Sequence, residues 1–320
     1  MKINLDLVKD FENAVLADIE EFKKRGFKFL EFDEWKIGKA DKDVSEDKFK
    51  RELIYTYGNL RQRMIDAKPR KILYANNFVR LPDYEEGLKL LENKVKRGNS
   101  LMPHLSRQIF KPREQDGMLF DFGIYHLHLG TVPDTKYPFL IQGREKILYC
   151  LVDNEFVYFL VIDSHGRWND LDLLRIIKDS FPQKLETWEM QGVFELPYNP
   201  KEELRKSGIN TAIELDGKFY IPPGGGITMA KTSAIAVMEI NRYYRRYRDI
   251  EKIVKNHFAN DKEVEQELKT DTLNLSLFSF TPFVLIDSEK DVVVELVFSS
   301  DNNRVEEIKV SENLEAVVCK

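Results

Sequence analysis

Two of the five histidines in the chain lie two residues apart, as His126 and His128 in the alternating run 125–129. On a β-strand, side chains two residues apart project from the same face, and their α-carbons are about 6.6 Å apart. Both imidazoles could therefore reach one phosphate group or one metal ion. His165 follows a second β-rich run, 156–163, so it lies at the end of a predicted strand. If the two strands are neighbours, the sequence predicts that three imidazoles converge at one end of a sheet.

Imidazole gains and loses its proton near neutral pH, so a pair of histidines can provide a general base and a general acid together. Two close imidazoles disfavour double protonation, which separates their pKa values. RNA cleavage needs this separation, because one group takes the proton of the 2′-hydroxyl while another protonates the leaving 5′-oxygen. We therefore predict that His126, His128 and His165 are the catalytic residues of a metal-independent endoribonuclease, a hydrolase that requires no cofactor.

The predicted substrate-binding residues are cations and an aromatic ring close to these histidines in the sequence. Arg144, Lys146 and Arg167 are candidates to hold the phosphate as negative charge develops on it. Trp168 is a candidate platform on which an RNA base could stack, although burial in the core is the more frequent role of a tryptophan. RNA is accordingly the predicted partner.

Two other interpretations of the same histidines remain open. Three imidazoles are a ligand set for zinc, copper or iron, and Asp121 and Asp163 provide carboxylates nearby in the sequence. In that case His126, His128 and His165 would bind the metal of a metal-dependent hydrolase. Alternatively, they are structural residues that hydrogen-bond their neighbours within a non-catalytic factor that binds protein or nucleic acid.

The histidine strand belongs to a longer pattern that includes residues 144–149, the turn at 153–154, the apolar run 156–162 and the Ser-His-Gly-Arg segment 164–167. Together these segments, within residues 122–181, resemble the sheet of the RelE/ParE-like toxin ribonucleases. The resemblance is one of residue types, and histidines stand where that family commonly has Arg, Lys and Tyr. It implies metal-independent cleavage of RNA, often on the ribosome, as a toxin or in phage defence, with an inhibitory protein as a further partner.

Residues 225–232 nearly match the phosphate-binding loop GxxxxGK[ST] and precede a predicted helix. However, Ala230 replaces the last glycine of the motif, where the loop backbone needs conformational freedom. The strand before the loop also reads as part of a hairpin and not of a parallel βαβ unit. The segment therefore indicates a tight connection between strand and helix.

A basic and aromatic cluster lies on the longest predicted helix, with arginines at 242, 245, 246 and 248 and tyrosines at 243, 244 and 247. Guanidinium groups and tyrosine rings suit the backbone and the unstacked bases of RNA. The favoured interpretation is nevertheless structural, because Tyr243 and Tyr247 fall on the apolar seam of the helix and the arginines then form a solvated face.

The helices and strands predicted around these residues indicate an α+β protein. Apolar residues at helical spacing predict a helix at 6–25, a second from Ser45 with a candidate break at 58–59, and a third from Asp83. A strand, a β-hairpin and a helix follow between 122 and 180, and the C-terminal part contains one long helix and closing strands. We predict a helical N-terminal region at 1–110, a central antiparallel sheet with the histidine cluster at 111–196, and a C-terminal α+β region at 197–320.

The composition excludes several classes of protein. Hydrophobic residues make up 42% and charged residues 32% of the chain, which is typical of a folded domain and not of a disordered one. The net charge of −5 argues against a wholly basic nucleic-acid binder, while a local basic groove remains compatible with it. Two cysteines provide neither a disulfide framework nor a paired-cysteine metal site. Because no apolar run is long enough for a membrane span or a signal segment, we expect a cytoplasmic protein without a membrane partner.

Overall fold

A computed structural model describes residues 1–31, 33–34, 45–166, 171–192, 212–260, 265–266, 268–301 and 304–312. These ranges contain both helices and mainly antiparallel sheets, which confirms the predicted α+β class. The chain divides into two compact units, one made of Met1–Asp18 with Ile240–Lys320 and the other of Ile19–Glu239. The predicted boundaries at residues 110 and 196 stay a prediction. No helix within the described ranges is long and apolar enough to cross a membrane.

The larger unit contains most of the helices. Its helices are α2 (Glu46–Arg63), α3 (Glu85–Arg97), α4 (Gly117–Phe122), α5 (Leu171–Ser180) and α6 (Gln183–Glu186), and short 3-10 turns lie at Pro82–Tyr84, Met102–His104 and Arg107–Phe110. Its strands are β2 (Lys71–Tyr74), β3 (Tyr125–His128), β4 (Lys146–Val152), β5 (Phe156–Ser164), β6 (Ile213–Leu215) and β7 (Lys218–Tyr220).

Helix α2 continues through the predicted break at Gly58 and Asn59. Its N-terminus is capped by Ser45, which accepts a hydrogen bond from the backbone N–H of Lys48. The helix is not interrupted, because both residues are buried and the Asn59 amide is used inside the unit. The Asn59 side chain accepts a hydrogen bond from the Ser233 N–H at 2.9 Å and donates to the carbonyl of Pro112.

The central sheet has the strand order β2-β5-β4-β3. The predicted hairpin β4–β5 is confirmed, and Asp153 accepts hydrogen bonds from the N–H groups of Glu155 and Phe156 at its turn. Strand β3 pairs with β4 in an antiparallel sense, whereas β2 joins β5 in parallel and makes the sheet mixed. The sheet therefore includes a strand from the N-terminal part of the chain, which the predicted antiparallel sheet lacked.

One face of this sheet is covered by α5. Ile147 and Tyr149 of β4 share a buried cluster with Leu173, Leu174 and Ile177 of the helix. Burying large apolar side chains stabilises such a cluster by about 1.5–3 kcal/mol for each residue. Residues opposite one another in adjacent strands project to the same side, so His126, opposite Tyr149, and His128, opposite Ile147, lie on this face.

The smaller unit is built from both ends of the chain. It contains β1 (Lys2–Asn4), part of α1 (Leu7–Lys24), most of α7 (Ala234–Asn260), and strands β8 (Thr272–Asn274), β9 (Ser276–Phe280), β10 (Phe283–Asp287), β11 (Val292–Phe298) and β12 (Val305–Glu312). Strand β1 pairs in parallel with β8, and β9 to β12 form an antiparallel sheet in the order β12-β11-β10-β9.

Candidate active site

The structure brings the three predicted imidazoles together. The ring centroids of His126 and His128 are 6.3 Å apart, those of His126 and His165 are 6.4 Å apart, and those of His128 and His165 are 5.2 Å apart. Strands β3 and β5 are not neighbours, because β4 lies between them. Strand β4 begins at Lys146, which is paired with Ser164 of β5. His165 therefore lies beyond the end of β4, where it can reach the histidines of β3.

The three rings differ in their access to solvent. His165 is exposed, His126 is half-buried, and His128 is buried with 9% of its surface exposed. Gly143 covers the His128 ring closely, since a β-carbon at that position would lie 3.2 Å from His128 Nδ1. A substrate that enters from solvent would therefore meet His165 first and His128 last.

A fourth histidine lies behind the three. His104 is fully buried at the end of the 3-10 turn Met102–His104, and its Nδ1 is 2.8 Å from the backbone carbonyl oxygen of His128. The most economical assignment is a neutral His104 that donates from Nδ1 to this carbonyl, which leaves Nε2 without a partner in the described part of the chain. In the sequence, His104 is a single histidine after Pro103, and nothing in that pattern indicates that it contacts the histidine strand.

Strand β3 is anchored to its surroundings at both ends. At one end the Tyr125 hydroxyl donates to the carbonyl of Gln62, at 2.7 Å, next to the end of α2. At the other end α3 lies directly against the backbone, because a β-carbon at Gly87 would be only 1.9 Å from the Leu129 carbonyl oxygen. These contacts fix the strand that carries His126 and His128.

The glycine-rich segment before α7 also supports this region instead of binding a phosphate. The N–H groups of Gly224 and Gly226 donate to the carbonyls of Asp121 and Phe120, at 2.9 and 2.7 Å. These carbonyls belong to the last turn of α4, the helix that leads into β3, where carbonyl groups have no partner within the helix. The segment is thus the tight connection that the sequence indicated.

Burial is the main cause of the electrostatic state of the cluster. It lowers the pKa of His128 to about 4, and the nearby His126 and His165 lower it further through repulsion between imidazolium charges. Burial also lowers the pKa of His104 to about 4, against the opposing effect of its bond to the His128 carbonyl. His104 and His128 are therefore neutral at pH 7.

His126 lies beside a small cavity of about 20 Å³, which has room for about one water molecule. Arg63 and Asp116 also line this cavity. Burial lowers the pKa of His126, Asp116 opposes this effect, and the charges of His165 and Arg63 reinforce it. At neutral pH, His126 is thus held in the form that can accept a proton.

Arg63 is the cation that sequence reasoning missed. It is 4% exposed, and its guanidinium donates to the backbone carbonyls of Gln108, Lys111 and Glu114. Its Nε has no hydrogen-bond partner among the described residues. Arg63 follows Leu60 by three residues and lies on the same buried side of α2. A charged residue at a position of the helix that should face the core was the signal in the sequence that could have revealed it.

The predicted substrate-binding residues are less closely grouped. The exposed Arg144 guanidinium lies 4.2 Å from the centroid of the Tyr84 ring and donates to the Asp83 carbonyl. Lys146 precedes Ile147 on β4, and since Ile147 is opposite His128, strand alternation directs Lys146 to the other face of the sheet. The predicted phosphate-binding residue Arg167 and the predicted stacking residue Trp168 lie outside the described residues.

The histidine geometry does not support the metal alternative. Over the described ranges, no group of three or more His, Cys, Asp or Glu side chains has an arrangement that could hold a metal ion. His126, His128 and His165 are included in this statement.

Comparison with known proteins gives no assignment. No protein-family model, no curated protein and no solved structure matches this chain. The resemblance to the RelE/ParE-like ribonucleases stays a prediction, and the function has to be argued from the histidine cluster itself.

Proposed function

We propose that this protein is a metal-independent endoribonuclease in which His126 and His165 transfer protons and His128 completes the catalytic centre. The observation that carries the proposal is the convergence of three imidazoles, 5.2–6.4 Å apart, with one ring exposed to solvent. Rings at these separations can contact opposite sides of one phosphodiester group. A cytoplasmic location is part of the proposal, because the substrate is RNA.

The reaction divides into two proton transfers around one displacement. Neutral His126 takes the proton of the ribose 2′-hydroxyl, and the resulting oxygen attacks the adjacent phosphorus. The bond from phosphorus to the 5′-oxygen breaks, and His165 acts as the general acid that gives a proton to that leaving oxygen. The products are a 2′,3′-cyclic phosphate and a free 5′-hydroxyl.

His128 has a different part in this mechanism. Its lowered pKa, about 4, keeps it uncharged beside His165 during the reaction. An imidazolium at this position would add a second positive charge inside the cluster, and the neutral His128 ring avoids that repulsion. Arg144 and Arg167 are the proposed phosphate-binding residues, and Trp168 the proposed base-stacking residue, in keeping with their types.

The proposal is tested by incubating the protein with matched RNA, DNA and 2′-O-methyl RNA oligonucleotides in the presence of a chelator. We expect only RNA to be cleaved, with 2′,3′-cyclic phosphate ends identified by mass spectrometry. His126→Ala and His165→Ala should each lower the rate by roughly 100-fold or more, the usual scale for a positioned acid or base. His257→Ala, on α7, is the matched control and should cleave at the wild-type rate.

Two results would contradict the proposal. Cleavage of DNA as fast as RNA would exclude attack by the 2′-hydroxyl. If the His126 and His165 variants kept the full activity but melted at lower temperature, the cluster would be structural. Circular dichroism melting of each variant separates loss of chemistry from loss of folding.

A further inference from the structure

The smaller unit presents aromatic rings to solvent along one flank of α7. Tyr243, 43% exposed, is stacked on Tyr247 with ring centroids 6.2 Å apart and planes 17° apart. Tyr247 in turn contacts Phe280 of β9 at 6.1 Å, and Phe280 is 46% exposed. Phe278, two residues earlier on the same strand, is 44% exposed. Tyr243 and Phe280, both in contact with Tyr247, therefore form one exposed aromatic group, and exposed apolar patches often mark a binding surface.

Two arginines border these rings. The Arg246 guanidinium lies 4.9 Å from the centroid of the Phe298 ring, and Arg242 lies one turn earlier on the same flank of α7. Neither arginine forms an ion pair with a carboxylate in the part of the chain that the structure describes. Two carboxylates of this unit are engaged elsewhere, as Glu12 accepts from the Tyr244 hydroxyl and Asp249 pairs with Lys252.

We infer that this aromatic–arginine surface, formed by Arg242, Tyr243, Arg246, Phe280 and Phe298, binds single-stranded RNA. Exposed rings can stack on unpaired bases of any sequence, and guanidinium groups beside them can hold the phosphates between those bases. The positive charge is local, since the whole chain has a net charge of −5, so a polyanion is the partner that complements this face. The choice of RNA over DNA rests on the proposed ribonuclease function.

The same helix provides a matched control. At 100° per residue, Arg245 and Arg248 project about 160° and 140° away from Tyr243 around the axis of α7, and both are exposed. We therefore compare two double variants that each remove two positive charges from the same helix. The first pair is Arg242→Gln with Arg246→Gln, and the second pair is Arg245→Gln with Arg248→Gln. Only the first pair removes charge from beside the exposed rings.

The experiment measures fluorescence anisotropy of a labelled 2′-O-methyl oligouridine, which the proposed 2′-hydroxyl chemistry cannot cleave. We expect the full-length protein to bind it and the first pair of substitutions to weaken binding by about 10-fold or more, as should Tyr243→Ala. The slope of log affinity against log salt should fall by roughly 0.7 for each phosphate that the variant no longer binds. The second pair should change the affinity by less than about 2-fold, and melting temperatures should stay at the wild-type value.

Other outcomes overturn the inference. No binding by the wild type, or equal weakening by both arginine pairs, would exclude a specific site on this surface. Tighter binding of a matched DNA than of the RNA probe would make DNA the ligand. A wild-type dimer that the first pair converts to a monomer in light scattering would assign the face to a second copy of the chain. Binding is measured with a probe that cannot be cleaved, whereas the ribonuclease proposal is tested by comparing RNA cleavage by the wild type and by His126→Ala. Either proposal can therefore fail without the other.

Discussion

His104 and His128 are uncharged at neutral pH because both rings are buried, and this state links protonation to unfolding. Each has a pKa of about 4 in the folded protein against 6.5 for the ordinary group. The unfolded chain therefore binds more protons than the folded chain between these two values. Since stability rises with pH wherever the unfolded state binds more protons, the contribution is complete above about pH 6.5 and is lost as the pH falls towards 4.

We predict a steep loss of stability between pH 6.5 and pH 4. Each histidine contributes on the order of 3 kcal/mol to this loss. His104→Leu should flatten the profile by removing one of the two groups, although the variant starts less stable at pH 7 because it loses the bond to the His128 carbonyl. Urea unfolding at a series of pH values measures this difference, and the same slope in both proteins would contradict it.

The sequence pointed to three histidines of the cluster but not to the residues around them. Alternation along 125–129 was sufficient to place His126 and His128 on one face, because side-chain direction on a strand is a local property. Arg63 and His104 are more than twenty residues from His126, and even the nearer Asp116 is separated from the histidine strand by α4, so all three meet the cluster only after tertiary folding. No local period connects them, so their role could not be inferred from spacing.

Helix α3 and strand β3 approach each other through Gly87, and this contact sets the position of the histidine strand. On an exposed helix, replacing glycine with alanine stabilises the protein by about 1 kcal/mol, through helix propensity alone. At Gly87 we expect the opposite sign, because the added carbon would lie 1.9 Å from the backbone oxygen of Leu129. The helix and strand must then separate, and over-packing of this kind usually costs about 1–3 kcal/mol.

Thermal unfolding of Gly87→Ala measures this cost. Glu86→Ala, at the exposed position immediately before it on the same helix, should change stability by less than about 0.5 kcal/mol. If the proposed ribonuclease function is correct, the Gly87 variant should also lose that activity below its melting temperature, since the displaced strand carries His126. A Gly87→Ala protein as stable as the wild type would show that the two elements can move apart freely.

Regular elements were predicted well where their signal was local. Of the two tyrosines predicted on the apolar seam of α7, Tyr247 is buried there, along with Ala236, Ile240, Ile250 and Val254, whereas Tyr243 is not. Tyr244 is buried there, at 8% exposed, and Tyr243 lies on the flank of the seam. Strand β2 was missed, because a run of four residues has no clear period and its parallel partner β5 lies more than eighty residues further along the chain.

At the scale of the whole molecule, the smaller unit depends on contacts between the two ends of the chain. Leu7 is fully buried at the start of α1, and its N–H donates to the Glu251 carboxylate of α7 at 2.7 Å. We predict that Leu7→Ala destabilises this unit by about 2–5 kcal/mol through the cavity it creates. Amide hydrogens of β8 to β11 should then exchange faster, although they lie far from residue 7 in the sequence.

Hydrogen exchange followed by mass spectrometry detects this effect. Asn13→Ala, at an exposed position of the same helix, is the control and should leave the protection of these strands unchanged. Loss of protection confined to the first residues of the chain would show that β1 and α1 are not integral to the unit.

The parallel pairing of β1 with β8 also determines the order in which the protein can fold during its synthesis. The partners of residues 2–4, at 272–274, are translated about two hundred and seventy residues after them. The unit that carries the histidine cluster, Ile19–Glu239, is complete well before that point. Since domains generally fold as they emerge, the nascent chain would hold an assembled histidine cluster while its first strand still waited for a partner.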